Sequence, residues 1–194
     1  MALVASLFAT ALLAGLGLSL VLLGSAETTL ASHDVQAQAV GHAAQSAVSL
    51  AASELRALSS WTGAVTGGAP DLCARPGRFV DSSLQPRAPW DGSAIDLHAL
   101  TVDRQAESDA AAPPGPAAPV WRLFEYGPIS RLVPADPRRH PYYLVVWAAD
   151  GQEGMVRLHA TALGPSGTRS SLEAAVTRRA DGTSLEWLAI RTVN

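Results

Sequence analysis

Lysine is missing from the chain: all 14 basic residues among its 194 residues are arginine. The formal net charge is −3 and the isoelectric point is near 5.9, with the arginines scattered along the sequence. Proteins that bind DNA or RNA usually carry a concentrated basic patch, which attracts the phosphate backbone. We therefore expect no nucleic-acid partner.

Cysteine is almost absent as well, since Cys73 is the only one. A single thiol excludes a disulfide within the chain, so the stability of the fold must come from packing. An intermolecular disulfide through Cys73 remains open, but a buried thiol is the interpretation that the sequence favours.

Charge and proline are lacking at the N-terminus: residues 2–26 contain neither, and no proline occurs before Pro70. A bilayer core needs about 20 apolar residues in a helix. A helix of about 57 residues would reach about 85 Å at 1.5 Å per residue. We predict one helix to about Leu58, with residues 1–26 as its transmembrane half and residues 27–60 as its amphipathic half.

A cleaved secretory signal is the competing interpretation of the apolar start. Gly24 and Ala26 fit the small residues of a cleavage site. However, no basic segment precedes the apolar run, and the run is longer than the typical 7 to 15 residues. An uncleaved helix fits these features better.

The second half of the predicted helix carries an apolar stripe. Small and aliphatic residues recur there mostly at steps of three, four or seven, which places them on one face. A stripe of this kind can pack against a sheet of the same chain or against other copies of the helix. Its members are Leu30, Ala37, Val40, Ala44, Ala47, Ala51, Leu55 and Leu58.

Residues 61–118 form a region rich in glycine and proline, which we interpret as loops with at most short strands. The segments "RFVDSSL" and "SAIDLHALTVD" could each supply a short edge strand. The tract "QAESDAAAPPGPAAP" is predicted to have almost no regular structure.

Residues 119–194 have the pattern of an antiparallel sheet. Five segments alternate with short connections, two of which contain the hairpin-forming pairs Asp150-Gly151 and Asp181-Gly182. The alternation predicts one buried and one wet face, whereas Tyr142 to Ala149 is apolar throughout and predicts a central strand covered on both sides. The segments are "PVWRLFEY", "PYYLVVWAA", "GMVRLHATALG", "GTRSSLEAAVTRR" and "TSLEWLAIRTV". The fold class is therefore α+β, a long N-terminal helix packed on a C-terminal antiparallel sheet.

No catalytic signature is recognisable. The sequence "GPSG" at residues 164–167 differs from the G-x-S-x-G nucleophile turn. In "SHD" at residues 32–34, neighbouring residues on a helix point in different directions, so they cannot form a triad with one another. We predict that the chain is not an enzyme and has no catalytic or cofactor-binding residue.

The sequence gives equally weak signals for a metal or ligand site. The five histidines, at positions 33, 42, 98, 140 and 159, are dispersed. Asp150 and Glu153 could hold calcium, but two carboxylates fall short of six to eight oxygen ligands, and a solvated turn is favoured. Aromatic residues on the strands could form an adhesive surface, although core positions are commoner for them. These are Trp121, Trp147, Trp187, Tyr142 and Tyr143. We predict no metal site.

Several segments resemble the PilX-type minor pilins of type IV pili. At the N-terminus these are "ALVASLFATALLAGLGLSLVLL", "AETTLA" and "AAQSAVSLAASELRAL"; in the sheet they are "WRLFEYGPIS", "YYLVVWAADG" and "RLHATALGPSGTRSSLEAAVTR". The similarity covers residues 2–58 and, more loosely, 121–178.

This resemblance implies that a prepilin peptidase removes a basic leader after a glycine, that the new end is methylated, and that the apolar helix enters a fibre. No leader precedes Met1, so either the true start lies upstream, which we favour, or Met1 stands where the first mature residue would be. Ala5 stands where major pilins have a glutamate, which argues against a major subunit.

The resemblance also implies partners and a location. The partners are other pilin subunits, the assembly machinery and the inner membrane, which the chain crosses once with its head in the periplasm, and from which it enters an extracellular pilus. The residues expected to mediate assembly along the helix are Leu3, Leu7, Leu12, Leu16, Leu20 and Leu23, with Glu27 and Asp34 near the membrane exit.

Two hypotheses remain open at this point. The first is a minor pilin-like structural subunit. The second is a binding or enzymatic domain that is anchored in a membrane or secreted behind a signal peptide.

Overall fold

The structure is a computed structural model that describes residues 2–58, 60–61, 65, 72–73, 76–112, 118–132, 140–151, 154–179 and 185–193. The chain divides into two compact units, Met1–Gln38 and Ala39–Asn194. The predicted hairpin at Asp181-Gly182 lies outside the described residues.

A single helix, α1, runs from Ala2 to Ala57. The predicted end at about Leu58 is therefore confirmed to within one residue. Arg56 lies in the last turn, where a cation interacts favourably with the negative end of the helix dipole. Residues of α1 belong to both units, because the first unit ends at Gln38.

Five antiparallel strands form one sheet in the order β1-β2-β3-β4-β5. Each predicted segment contains one strand. The Asp150-Gly151 turn is also confirmed, since the Gly151 amide donates to the Met155 carbonyl at 2.9 Å. The strands are β1 Arg122–Pro128, β2 Tyr143–Asp150, β3 Met155–Leu163, β4 Arg169–Arg178 and β5 Leu185–Val193, with short 3₁₀ turns at Ile129–Arg131 and Pro165–Gly167.

One face of the sheet packs against the second half of α1. Ala44, Ala47 and Ala51 are fully buried there, so the helix backbone comes close to strands β2 to β4. The predicted apolar stripe is thus confirmed from Val40 to Leu55, whereas Leu30 and Ala37 are exposed and Leu58 is half-buried. Val146, Leu158, Leu172 and Val176 are among the sheet residues in this core.

The opposite face of the sheet is buried along β2 to β4 as well, so the prediction of a wet face is wrong there, whereas β5 is exposed on both faces. His159, Thr161, Ser171 and Glu173, which alternate with the apolar residues of β3 and β4, are all buried. The prediction that β2 is covered on both sides is confirmed, because all its residues except Asp150 are buried.

A second helix, α2, covers this face. It runs from Leu97 to Ala111, and Leu97 and Leu100 pack against the cluster that contains Trp121 and Trp147. The prediction of only loops and short strands in residues 62–118 is therefore wrong, and "SAIDLHALTVD" supplies no strand. Asp96 starts the helix by accepting a hydrogen bond from the Ala99 amide at 2.9 Å.

The two edges of the sheet differ. Residues 72–73 and 76–81, which we name the edge strap, run along the outer edge of β1 and form isolated parallel bridges at Leu72 and Val80. The segment "RFVDSSL" thus supplies one bridge at Val80 and no strand. Within the described ranges, no strand pairs with the outer edge of β5.

Candidate functional site

The most unusual surface of the protein is the apolar segment, residues 2–26 of α1. All its described side chains are exposed, Ala5 being the one whose side chain is not described. An 18-residue window of α1 has a mean hydropathy of 2.2 with no part of it buried. The segment is therefore long and apolar enough to cross a membrane, and this rests on its length and composition.

The leucines predicted to mediate assembly do not form one stripe. A step of five residues, from Leu7 to Leu12, rotates the side chain by about 140° around a helix of 3.6 residues per turn. Leu3 and Leu7 thus lie on a different side from Leu12, Leu16, Leu20 and Leu23. Other large apolar side chains of the segment are exposed as well, namely Phe8, Leu13, Leu18, Val21 and Leu22. The apolar segment is hydrophobic all round, which is typical of a helix inside a bilayer or a bundle.

The hydroxyl groups of the apolar segment are bonded within the helix. Ser6 donates to the Leu3 carbonyl at 2.9 Å, Thr10 to the Ser6 carbonyl at 3.0 Å, and Ser19 to the Gly15 carbonyl at 2.9 Å. Local bonds of this kind satisfy the hydroxyl without water. They lower the cost of placing these residues in an apolar environment.

Glu27 and Asp34 mark the end of the apolar segment. Glu27 is the first charged residue of the chain, and both carboxylates are exposed. They are seven residues apart, about two helical turns, and so lie on the same side of α1. This position suits two charges that must stay in water.

A buried polar cluster lies between the sheet and α2. Glu173 in β4 accepts hydrogen bonds from Arg157 and, at 2.7 Å, from Arg191. Burial alone raises the pKa of Glu173, but the hydrogen bonds from the two arginines lower it below its usual range. Glu173 is thus an ionised anchor that joins β3, β4 and β5.

His159 lies beside Glu173, between the rings of Trp121 and Trp147, whose centroids are 5.8 and 5.7 Å from its own. Burial, followed by the charge of Arg104, lowers the pKa of His159 to about 3. The imidazole is 1% exposed, so it cannot exchange protons with a substrate in solvent. Its role in this position is structural.

Glu125 is the third buried ionisable group, and it lies on the other face of the sheet. It is fully buried, and neither carboxyl oxygen has a hydrogen-bond partner. Burial and the nearby Glu54 raise the pKa of Glu125 to about 8. The group is therefore a neutral acid at pH 7.

Sequence reasoning missed these three residues for different reasons. The polar positions of His159 and Glu173 alternate with apolar ones, which normally signals a solvated face. Glu125 changes face because β1 contains a bulge between Leu123 and Glu125, which pairs Glu125 with Val146. Only the charge in the middle of "WRLFEY" hinted at an unusual position.

The remaining candidate residues from the sequence do not form a site in the described part of the chain. Among the described residues, no three histidine, cysteine, aspartate or glutamate side chains come together as a metal site. Glu153, one half of the calcium candidate, lies outside the described residues. Cys73 is buried, which agrees with the favoured interpretation, and burial raises the pKa of its thiol to about 12.

The aromatic residues divide between core and surface. Trp121, Trp147, Tyr142 and Tyr143 are buried, so they cannot form an adhesive surface. Trp187 in β5 is 41% exposed. The preference for core positions is thus confirmed for four of the five.

An open cleft of about 350 Å³ lies beside the start of α2. Trp90 and Leu163 contribute apolar surface to it, and Asp96, Asp103 and Arg169 contribute charge. These three charged residues are exposed, so none is held in the apolar environment that tunes a catalytic group.

Comparison of the chain with protein-family models, with curated proteins and with solved structures gives no match.

Proposed function

We propose that this protein is a minor pilin-like structural subunit, which takes part in type IV pilus biogenesis through the apolar segment. One feature carries the proposal: a single 56-residue helix that is apolar all round at its start and lies on an antiparallel sheet at its end. The partners are other pilin subunits, the assembly machinery and the inner membrane. The head, in this proposal, lies in the periplasm.

Transfer from lipid to a helical bundle is the physical basis of this function. The apolar segment exchanges contacts with lipid tails for contacts with neighbouring helices, so the hydrophobic effect changes little. Gly15, Gly17 and Gly24 face open space in this chain, and small residues of this kind let the backbones of neighbouring helices approach closely. Packing between the helices then determines whether the subunit stays in the lipid or enters the bundle.

The first test is the chemical state of the native N-terminus. Membrane and sheared-fibre fractions are collected, and the end of the protein in each is determined by mass spectrometry. A methylated residue at or near Met1, in the fibre fraction, supports a minor pilin. An end at Glu27, or an unmodified end confined to the membrane, favours a secreted or simply anchored domain.

A matched pair of variants tests the apolar segment itself. Leu16→Arg places a charge in the middle of the segment, which costs about 2.5–3.5 kcal/mol at the centre of a membrane helix. We expect this variant to be lost from both membrane and fibre fractions. Leu30→Arg, at an exposed position beyond Glu27, is the control and should fractionate as the wild type does. Equal fractionation of both variants would contradict the proposal.

A further inference from the structure

Within the described residues, few backbone hydrogen bonds hold the edge strap on β1. Cys73 donates its amide to the Leu123 carbonyl at 3.0 Å, Gly77 to Phe124 at 2.8 Å and Asp81 to Tyr126 at 2.8 Å. In return, the Tyr126 amide donates to Phe79 at 2.8 Å. Side chains add to them, since Arg131 donates to the Val80 carbonyl at 2.9 Å and the Tyr143 hydroxyl to Asp81 at 3.2 Å. Strand β2, in contrast, pairs with β1 along most of its length. The strap is therefore the weaker of the two partners of β1.

The carboxyl of Glu125 lies directly beneath the strap. A Cβ built on Gly77 would come within 2.3 Å of Oε1 and 2.4 Å of Cγ of Glu125. The strap backbone can lie this close only because residue 77 has no side chain. Gly77 thus forms the cover of a fully buried acid that has no hydrogen-bond partner.

Among the described residues, the charged groups nearest Glu125 do not stabilise its negative charge. Glu54 approaches from α1, and its charge repels that of Glu125. Arg78 of the strap pairs instead with Glu54, at 3.7 Å between Nε and Oε2, and is mostly exposed. Val146 lies opposite on β2. Of the described groups, the Phe79 backbone amide favours the ionised form, and it offsets part of the rise in the pKa of Glu125.

We propose that Glu125 is a proton-operated latch, which keeps the edge strap closed on β1 while its carboxyl is protonated and releases the strap when the proton is lost. An ionised carboxylate is costly in an apolar site where the Phe79 amide offsets only part of the cost of burial, so the charge favours any state that admits water. Lifting the strap admits water and leaves the ladder between β1 and β2 in place. The proposal concerns the head alone and holds whether or not the chain enters a fibre.

The pH range follows from the two states of Glu125. The pKa is about 8 in the closed state, and an exposed glutamate has its ordinary value of 4.5. Between these values the closed state retains a proton that the open state loses, so opening becomes easier as the pH rises. Below 4.5 the protonated closed state is fully stable, and above 8 no further change is expected.

Cys73 provides a native reporter, because its buried thiol becomes accessible when the strap lifts. The full-length protein in detergent is alkylated with a neutral maleimide at pH 5 to 9, and Glu125→Gln serves as the permanently uncharged control. The ratio of the two rates removes the effect of pH on the thiol itself. We expect this ratio to rise by up to about tenfold per pH unit and to level off near pH 8. A ratio that does not change with pH would overturn the proposal.

A second variant and a second measurement separate latch opening from global unfolding. Glu54→Gln removes the repelling charge, so the rise should level off at a lower pH. Hydrogen-exchange protection factors, which remove the intrinsic effect of pH on exchange, should be well below that of Leu158 in β3 at the Cys73 and Gly77 amides of the wild type, and should fall there as the pH rises. Equal protection factors at the three amides would indicate unfolding of the whole head and refute the latch. These two results decide the question even if Glu125→Gln fails to fold.

Discussion

At the scale of single residues, the buried ionisable groups make the head sensitive to acid and to alkali at different places. His159 and Glu173 have lowered pKa values, and both lie on the face covered by α2. Glu125 has a raised pKa and lies on the face covered by α1. Acid therefore weakens one face of the sheet, and alkali weakens the other.

The effect of acid can be measured on His159. Its pKa is about 3 when folded and 6.5 when unfolded, so the stability it supports is complete above pH 6.5 and is lost as the pH falls toward 3. The loss reaches about 1.4 kcal/mol per pH unit for a single group. His159→Gln should flatten the free energy of unfolding over this range in urea titrations. The exposed His140→Gln is the control, and equal slopes in all three proteins would refute the assignment.

At the scale of elements, the two helices cover the sheet in different ways. The second half of α1 does so with alanines, which let the helix lie close to the strands. Helix α2 uses leucines together with polar anchors: Thr101 Oγ1 accepts a hydrogen bond from the Trp147 indole, and the Arg104 guanidinium lies 5.2 Å from the Trp121 ring centroid. Each helix therefore has its own sensitivity to mutation.

Overpacking tests the close approach of α1. Ala47 is fully buried against the sheet, so Ala47→Leu forces side chains apart and should cost about 1–3 kcal/mol. Gly41→Ala is the control, because its new Cβ would meet only Ser170 Oγ at 3.9 Å and should stabilise the helix by about 0.5–1 kcal/mol. Chemical denaturation of both variants measures the difference. If Ala47→Leu leaves the free energy of unfolding unchanged, the interface between α1 and the sheet is loosely packed.

A buried hydrogen bond tests α2. Thr101→Val removes the acceptor of the Trp147 indole N–H and leaves that donor buried without a partner, which should cost about 1–3 kcal/mol. Thr101→Ser keeps the hydroxyl and should recover most of the loss. Thermal unfolding compares the three proteins. If valine and serine behave alike, the hydrogen bond does not hold α2 in place.

At the scale of the whole molecule, the long periodic segments could be predicted from the sequence, but the helix α2 that covers the sheet could not. The length of α1 and the five strands follow from local patterns in "AAQSAVSLAASELRAL" and "YYLVVWAA". Helix α2 was missed because its sequence is mostly polar and runs into "PPGP". The burial of His159 was missed with it, because α2 helps to cover that face.

The candidate site, too, could be predicted only in part from the sequence. Composition alone identifies the apolar segment, because no partner is needed to define it. The leucines expected to mediate assembly do not share one face of the helix, since the step from Leu7 to Leu12 breaks the helical period. Glu125 depends on a bulge in β1, and a bulge has no signature in a single sequence.

The unequal edges of the sheet limit how copies of this protein can aggregate. Edge-to-edge pairing of sheets can continue without limit only if every molecule has two unpaired sheet edges. Here the edge strap occupies the edge of β1, and β5 alone is open in the described part of the sheet. Edge-to-edge growth therefore stops after one pairing, and the strap protects the solubility of the head for as long as it stays closed.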